Sequence, residues 1–441
     1  MNILFVSLGC DKNLVDTEVM LGLLAQKGHQ LVDSEEVADV IVVNTCCFIH
    51  DAKEESIQTI LEMAEYKKTG QVRALIVTGC LAQRYKQEIM DEIEEVDAVL
   101  GTTSYDQIVE AIDEAVNGNK ILKMNDIDIF PAVKSSRLLT TGGHFAYLKI
   151  AEGCDKHCTY CIIPKIRGNF RSVPMEQLLM EANALVEQGV KELILVAQET
   201  TLYGKDIYGK KSLHVLLKEL CKISGLRWIR ILYCYPEEIT DDLIRVIKEE
   251  DKICNYLDLP IQHACDDVLK RMGRRTSKAQ LIEIIEKLRK EIPDIAIRTT
   301  LITGFPGETK EQHEELMEFV DEMEFDRLGV FTYSPEEDTP AAKMADQIEE
   351  QVKEERQAEL MELQQEIAFE LAESMVGRDV VVMIEGKVAD ENAYVGRTYM
   401  DAPNVDGLIF VETDEELMSG DFVKVRVTGA LEYDLIGEII S

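Results

Sequence analysis

Short β-branched apolar runs alternate with amphipathic stretches along most of this 441-residue chain. Residues 3–7, 40–44 and 74–78 are of strand length, and residues 16–27 and 51–67 carry a helical period. A strand–helix–strand order demands right-handed crossovers and leaves the strands parallel. The first block, 1–120, is therefore expected to be an open parallel α/β sheet. The alternation repeats over 140–370, with candidate strands at 145–150, 192–197, 226–232, 255–259, 295–302 and 327–332. Candidate helices lie between and after them at 174–188, 212–223, 240–250, 277–291 and 309–323. Six such units predict a partial TIM-like (β/α)6 barrel whose active site lies at the C-terminal strand ends. Residues 125–143, with Pro131, Ser135, Ser136, Gly142 and Gly143, read as a linker. A long polar helix over 340–375 leads into a last block, 373–441. Its short runs at 380–384, 408–411, 422–427 and 434–440 suit a small antiparallel β-barrel.

Charge narrows the function classes. Lys and Arg number 47 against 83 Asp and Glu, a net charge of −36. Such a surface repels phosphate backbones, so no dedicated nucleic-acid binding is expected. No run reaches the ~20 apolar residues of a membrane span. The opening stretch, Met1 to Cys10, lacks a basic leader and reads as a buried strand, not a signal. A cytoplasmic protein with reduced thiols is expected. Its eleven cysteines then point to metal or redox chemistry more than to disulfides.

The sharpest chemical signal is Cys154-Asp-Lys-His-Cys158-Thr-Tyr-Cys161, directly after the first barrel strand. Three thiolates at this spacing suit three irons of a 4Fe-4S cube, with the fourth iron open. An open iron can chelate the amino and carboxylate groups of S-adenosylmethionine, and electron transfer then releases a 5′-deoxyadenosyl radical. Cys154, Cys158 and Cys161 are thus candidate catalytic and metal residues, and Tyr160 is placed to pack on the adenine. A zinc site is the alternative, and it would need a fourth ligand such as His157.

A second signal is dispersed. Cys10, Cys46 and Cys80 each stand one to three residues beyond a predicted parallel strand. In an open α/β sheet those ends form one crevice, so three thiolates distant in sequence can meet there. Gly9 and Gly79 precede two of them and permit close backbone approach. The alternative is that small apolar cysteines end strands because they are buried. Elsewhere, Gly304 and Gly307 of Gly304-Phe-Pro-Gly-Glu308 follow a strand, so that this stretch and Glu308 are candidate S-adenosylmethionine contacts. Gln198 and Glu199 end the second barrel strand and are candidates for its ribose or methionyl part. His263 ends a strand, with its role open. Cys221, Cys234, Cys254 and Cys265 read as buried or incidental.

These motifs carry a resemblance. Block two resembles the radical S-adenosylmethionine superfamily, and the whole chain is similar to the methylthiotransferases built on it, which end in a TRAM domain. The matching stretches are Ser7-Leu-Gly-Cys-Asp-Lys-Asn, Asn44-Thr-Cys-Cys-Phe-Ile49, Thr78-Gly-Cys80, Glu152-Gly-Cys154 onward, Asp258-Leu-Pro-Ile-Gln-His263 and Gly304-Phe-Pro-Gly-Glu308. The first two, with Asp401-Ala-Pro-Asn-Val-Asp-Gly407, resemble the branch that methylthiolates the β-carbon of an aspartate in ribosomal small-subunit protein twelve. The other branch modifies a tRNA adenosine and typically reads Gly-Cys-Gln-Met-Asn at the first motif. The resemblance implies two 4Fe-4S clusters, two S-adenosylmethionine molecules and a reducing electron donor. The N-terminal cluster would hold the sulfur, and the substrate would be free or within the assembled ribosome. Cys47 stands where the family has a small residue of another kind, and by position in the motif Cys46 is the ligand.

Charge tests the branch independently. Residues 374–441 hold 5 Lys and Arg against 14 Asp and Glu. A domain gripping RNA should carry a basic face, whereas this one suits a basic ribosomal protein. Lys134, Arg137, Lys149, Lys156, Lys165, Arg167 and Arg171 form a basic set around the cysteine loop. It reads equally as a holder of an anionic carboxylate or as ordinary surface balance.

Overall fold

A computed structural model describes residues 1–441 apart from Gln71, 132–136, Asp390 and Ser441. Lys134 of the basic set and Ser135 and Ser136 of the linker lie outside the described residues. The chain forms two units. Met1–Thr140, Ala151–Val173 and Ser334–Ala342 make the first, and Thr141–Ile150, Pro174–Tyr333 and Lys343–Ser441 the second.

The first unit is built on β1 (Asn2–Ser7), β2 (Gln30–Val32), β3 (Val40–Thr45), β4 (Ala74–Gly79), β5 (Val96–Leu100) and β6 (Ile121–Lys123). They run in the order β2-β1-β3-β4-β5-β6, every pair parallel. Successive side chains leave a strand on opposite faces, and here both faces are covered. Val40, Val42 and Ile76 pack with Met20, Leu24, Ile108 and Ile112. Ile41, Val43, Leu75 and Val77 pack with Ile60, Met63 and Leu81, and also with Ile162 and Ile166. The helix of the cysteine loop, Ile163–Arg167, is thus part of this unit's core.

The second unit begins with β7 (Phe145–Lys149), after which the chain gives the first unit its short antiparallel pair β8 (Ala151–Glu152) and β9 (Arg171–Ser172). It resumes with β10 (Glu192–Val196), β11 (Trp228–Ile231), β12 (Ile253–Asp258), β13 (Ala296–Thr303) and β14 (Arg327–Thr332). These join β7 in an open parallel sheet with β14 and β7 at its edges, the expected partial barrel. The long helix starts later than expected, at Glu350–Ser374, because the preceding backbone is engaged elsewhere. Ala341 N–H donates to Thr159 O, and Asp346 O accepts from Gly307 N–H. The chain ends in a closed barrel of β15 (Asp379–Lys387), β16 (Ala393–Arg397), β17 (Ile409–Glu412), β18 (Phe422–Ala430) and β19 (Leu435–Ile439). One of its pairs, β17 with β19, runs parallel in an otherwise antiparallel barrel. Among the described residues no helix is long and apolar enough to cross a membrane.

Buried ion pairs bind the small barrel to the N-terminal ends of the large sheet. Glu192, wholly buried, accepts from Arg230 Nε at 2.9 Å and from Arg397 Nη2 at 2.6 Å. Arg298 and Arg327 pair with Asp406 and Asp401 of the 401–407 motif. Burial alone would raise the Glu192 pKa, but Arg397 and Arg230 together hold it below the usual carboxylate range. Removing one partner strands buried charge at a cost of about 3–5 kcal/mol. Glu192→Ala should therefore lower the urea midpoint of the second unit strongly, read by fluorescence of Trp228, the single tryptophan. The depressed pKa means this stabilisation is full above the ordinary carboxylate range and lost as pH falls through the folded value. The deficit of the variant should shrink in acid accordingly.

Candidate functional site

Parallel register brings the dispersed cysteines together. Ser7 pairs with Asn44, and Asn44 with Thr78, so β1, β3 and β4 end on one row. Cys10 begins three residues past that row, and Cys46 and Cys80 two past it. The close approach needs glycine at two places. A Cβ on Gly9 (φ +86°) would lie 2.9 Å from Cys46 Sγ, and one on Gly79 (φ +93°) 2.5 Å from Thr45 O. A polar scaffold holds the three loops. Asn13 Nδ2 donates to Leu8 O (2.6 Å) and Thr45 O (3.3 Å), and Asn44 Nδ2 donates to Asn13 O (3.0 Å) and Thr17 Oγ1 (2.8 Å). Ser56 clamps the Cys46 backbone reciprocally, accepting from its N–H at 3.0 Å and donating to its C=O at 2.8 Å. None of these residues carries a periodic signal; Asn13 and Asn44 stand out only because they belong to the cysteine motifs.

The thiols feel one another. Burial, and then the charge of Cys10, push the Cys46 thiol up. Cys80, fully enclosed, is pushed up by burial and by the thiols of Cys46, Cys47 and Cys10, against the pull of Arg167. The adjacent Cys47 packs in the apolar cluster with Ile60, Met63 and Val77, and burial pushes its thiol up to about 12. Cys46 is therefore the member of the pair that faces the Cys10 loop. None of these four cysteines is in a disulfide.

The Cys154 loop belongs to the same unit. Cys154 and Cys158 are buried, Cys161 and Tyr160 half-buried, and His157 exposed with φ +52°. Cys154 N–H donates to Gly168 O (3.2 Å), Cys161 N–H to Cys158 O (3.0 Å) and Phe170 N–H to Asp155 Oδ1 (2.9 Å). Among the described residues no three His, Cys, Asp or Glu side chains are gathered tightly enough to hold a single metal ion. Three cysteine thiols carried on one loop are a donor set that suits a 4Fe-4S cube.

Most described members of the basic set are buried. Arg137 Nη2 is buried on Glu18 Oε2 at 2.5 Å, Arg167 is buried among acidic and thiol groups, and Lys149 and Lys156 are buried. Arg171 donates to the backbone carbonyls of Arg167 and Asn169 and lies over Phe130. Among the described members, Lys165, paired with Asp338, has the expected surface character.

In the second unit, residues 304–308 form a turn at the C-terminal end of β13, with positive φ at Gly304 and Gly307. The Glu308 carboxylate turns inward, accepting from Phe305 N–H (3.1 Å) and Arg356 Nη1 (3.0 Å). Burial raises its pKa against the pull of Arg356. His263 Nδ1 accepts from Cys265 N–H (3.0 Å), and its Nε2 lies 3.8 Å from Glu308 Oε2, which gives the undecided histidine a place beneath this turn. Glu199 is fully buried and accepts from Thr201 N–H (3.0 Å), whereas Gln198 is half-buried. Cys254 is buried in β12, Cys234 is buried in the loop after β11 and Cys265 is buried ahead of the helix Asp266–Arg271, while Cys221 is half-buried.

Comparison with known proteins agrees with this architecture. Residues 2–101 match the family described as Uncharacterized protein family UPF0004, 148–320 the Radical SAM superfamily, and 376–440 the TRAM domain. Relatives named ribosomal protein uS12 methylthiotransferase RimO span the whole chain. The one from Lachnoclostridium phytofermentans is 68% identical over 99% of both chains. That from Clostridioides difficile is 50% identical over 98% of both. Among solved structures, the radical S-adenosylmethionine methyltransferase TsrM of Kitasatospora setae aligns with a TM-score of 0.55 at 13% identity, over 85% of this chain and 78% of that one. At that identity the likeness speaks for the fold alone. The full-length identity to several such relatives shows that the chain belongs to the family of ribosomal protein uS12 methylthiotransferases, a radical S-adenosylmethionine family.

Proposed function

We propose that this chain transfers a methylthio group to the β-carbon of an aspartate in ribosomal protein uS12. The observation that carries the reading is the meeting of Cys10, Cys46 and Cys80 at one row of strand ends, in the same unit as Cys154, Cys158 and Cys161. Each trio holds one 4Fe-4S cluster through three thiolates. Once bound, the clusters and two S-adenosylmethionine molecules supply a hydrogen-abstracting radical and a transferable methylthio group, which an unactivated C–H bond requires and no side-chain base provides.

The protein's part is ligation, orientation and exclusion of water. Asn13, Asn44 and Ser56 fix the loops of the N-terminal trio. At the strand ends of the second unit, Gln198, Gly304 and Gly307 contact S-adenosylmethionine, while Glu308 holds the turn from within. An external donor supplies the electrons. Solvent-facing carboxylates of the small barrel, among them Glu391, Glu412, Asp414, Glu415 and Glu438, line a groove that suits a basic ribosomal protein. The tRNA alternative is not favoured, since the relatives carry the uS12 name and the last segment is acidic.

Anaerobic reconstitution should give roughly eight irons per chain, two cubes' worth. Cys80→Ala and Cys46→Ala should each fall to about half that iron, whereas Cys47→Ala should keep it all. Cys154→Ala should produce no 5′-deoxyadenosine. Cys80→Ala should still cleave S-adenosylmethionine yet leave uS12 unmodified by mass spectrometry. Normal transfer by Cys80→Ala would overturn the assignment of the N-terminal trio.

A further inference from the structure

One buried cation touches a ligand of the N-terminal trio and comes from the segment that carries the other. Arg167 closes the helix Ile163–Arg167 of the cysteine loop and is 2% exposed. Its Nε donates to Cys80 Sγ at 3.3 Å. Nη1 donates to Asp16 Oδ2 at 2.7 Å and approaches Glu152 Oε2 at 3.4 Å, and Nη2 donates to Asn13 Oδ1 at 3.0 Å. The next residue, Gly168, accepts the N–H of Cys154 through its carbonyl. The helix is anchored from outside the loop as well, since Thr102 Oγ1 donates to Ile166 O at 2.9 Å.

We propose that Arg167 is a positioning residue that raises the reduction potential of the cluster held by Cys10, Cys46 and Cys80, and ties that site to the Cys154 loop. The inference rests on the two-cluster reading above. An N–H directed at a ligand sulfur and a nearby fixed charge are the protein's main means of setting such a potential. A guanidinium stays charged at every working pH. Reduction adds negative charge to the cluster, and the cation favours the reduced form. Asp16 opposes it by lying against the same guanidinium.

The test uses the full chain with Cys154, Cys158 and Cys161 all replaced by alanine, so that only the N-terminal cluster loads. The midpoint is followed by electron paramagnetic resonance during a dithionite titration. Asp16→Asn should move it upward, and Arg167→Gln combined with Asp16→Asn should move it downward. A charged hydrogen bond of about 1.5 kcal/mol corresponds to about a tenfold change in the reduction equilibrium, or 59 mV for one electron. Opposite signs are what a merely structural role would not produce. Midpoints that stay put, or that shift the same way in both variants, overturn the proposal while the second cluster stands. If the double variant fails to fold by circular dichroism, Asp16→Asn decides alone: a rise supports the proposal, and no rise or a fall overturns it. A parent chain that binds no iron fails in a different way, by removing the N-terminal cluster itself.

Discussion

The row Ser7–Asn44–Thr78 is the constraint on which the candidate site depends. Parallel strands in register release their chains on one edge of the sheet. Cysteines separated by more than thirty residues thereby become neighbours. A slip of one residue in any of the three strands would send its side chains to the opposite face and dissolve the group. The sheet resists such a slip because both faces are packed, so every strand residue has an assigned side. Asn13, Asn44 and Thr17 add a polar lock directly under the loops. The site is thus a consequence of topology and burial before any metal chemistry enters. Its enclosed thiols, Cys46 and Cys80, hold their protons firmly, so any metal they took would have to displace those protons.

Much of this was legible in the sequence because it follows from periodicity. The runs at 3–7, 40–44 and 74–78 became strands almost residue for residue, and cysteines just beyond parallel strands had to emerge at one edge. Elements whose stability comes from tertiary partners were not legible. In β5, Asp97 breaks the apolar run, yet its carboxylate is satisfied by Leu75 N–H and Lys67. In β16, Gly396 and Arg397 look foreign to a strand, and Arg397 is buried only because Glu192 and Glu385 meet it. Nor does any pattern reveal that residues 151–173 fold with the first sheet; Ile162 and Ile166 show it only once packed.

The basic set shows the same limit from the side of charge. Counting Lys and Arg near a loop gives a sum but not the direction in which each points. Arg137 and Arg167 turn inward to carboxylates contributed by the segment after β1, Glu18 and Asp16. The acidic surplus of the last segment is likewise partly internal. Asp401, Asp406 and Glu385 answer arginines of the large sheet or of the barrel itself. The motif at 401–407 therefore has a structural duty, and exposed carboxylates such as Glu412 and Glu438 lie on other strands of that barrel.

Arg167 is a costly placement in the first unit. Desolvating a guanidinium costs several kcal/mol, and an apolar side chain of similar volume could fill the space at less expense. What an apolar residue could not do is hydrogen-bond to three other segments at once. Asn13 and Asp16 follow β1, Cys80 follows β4, Glu152 lies in β8, and Arg167 itself ends the helix of the cysteine loop. Its nitrogens are directed at atoms of three other segments, so its fork geometry specifies their relative positions in a way that dispersion contacts do not. A chain that needed only stability at this point would have been better served by leucine. One that must hold the Cys80 sulfur in fixed relation to the Cys154 loop gains from a rigid, permanently charged donor.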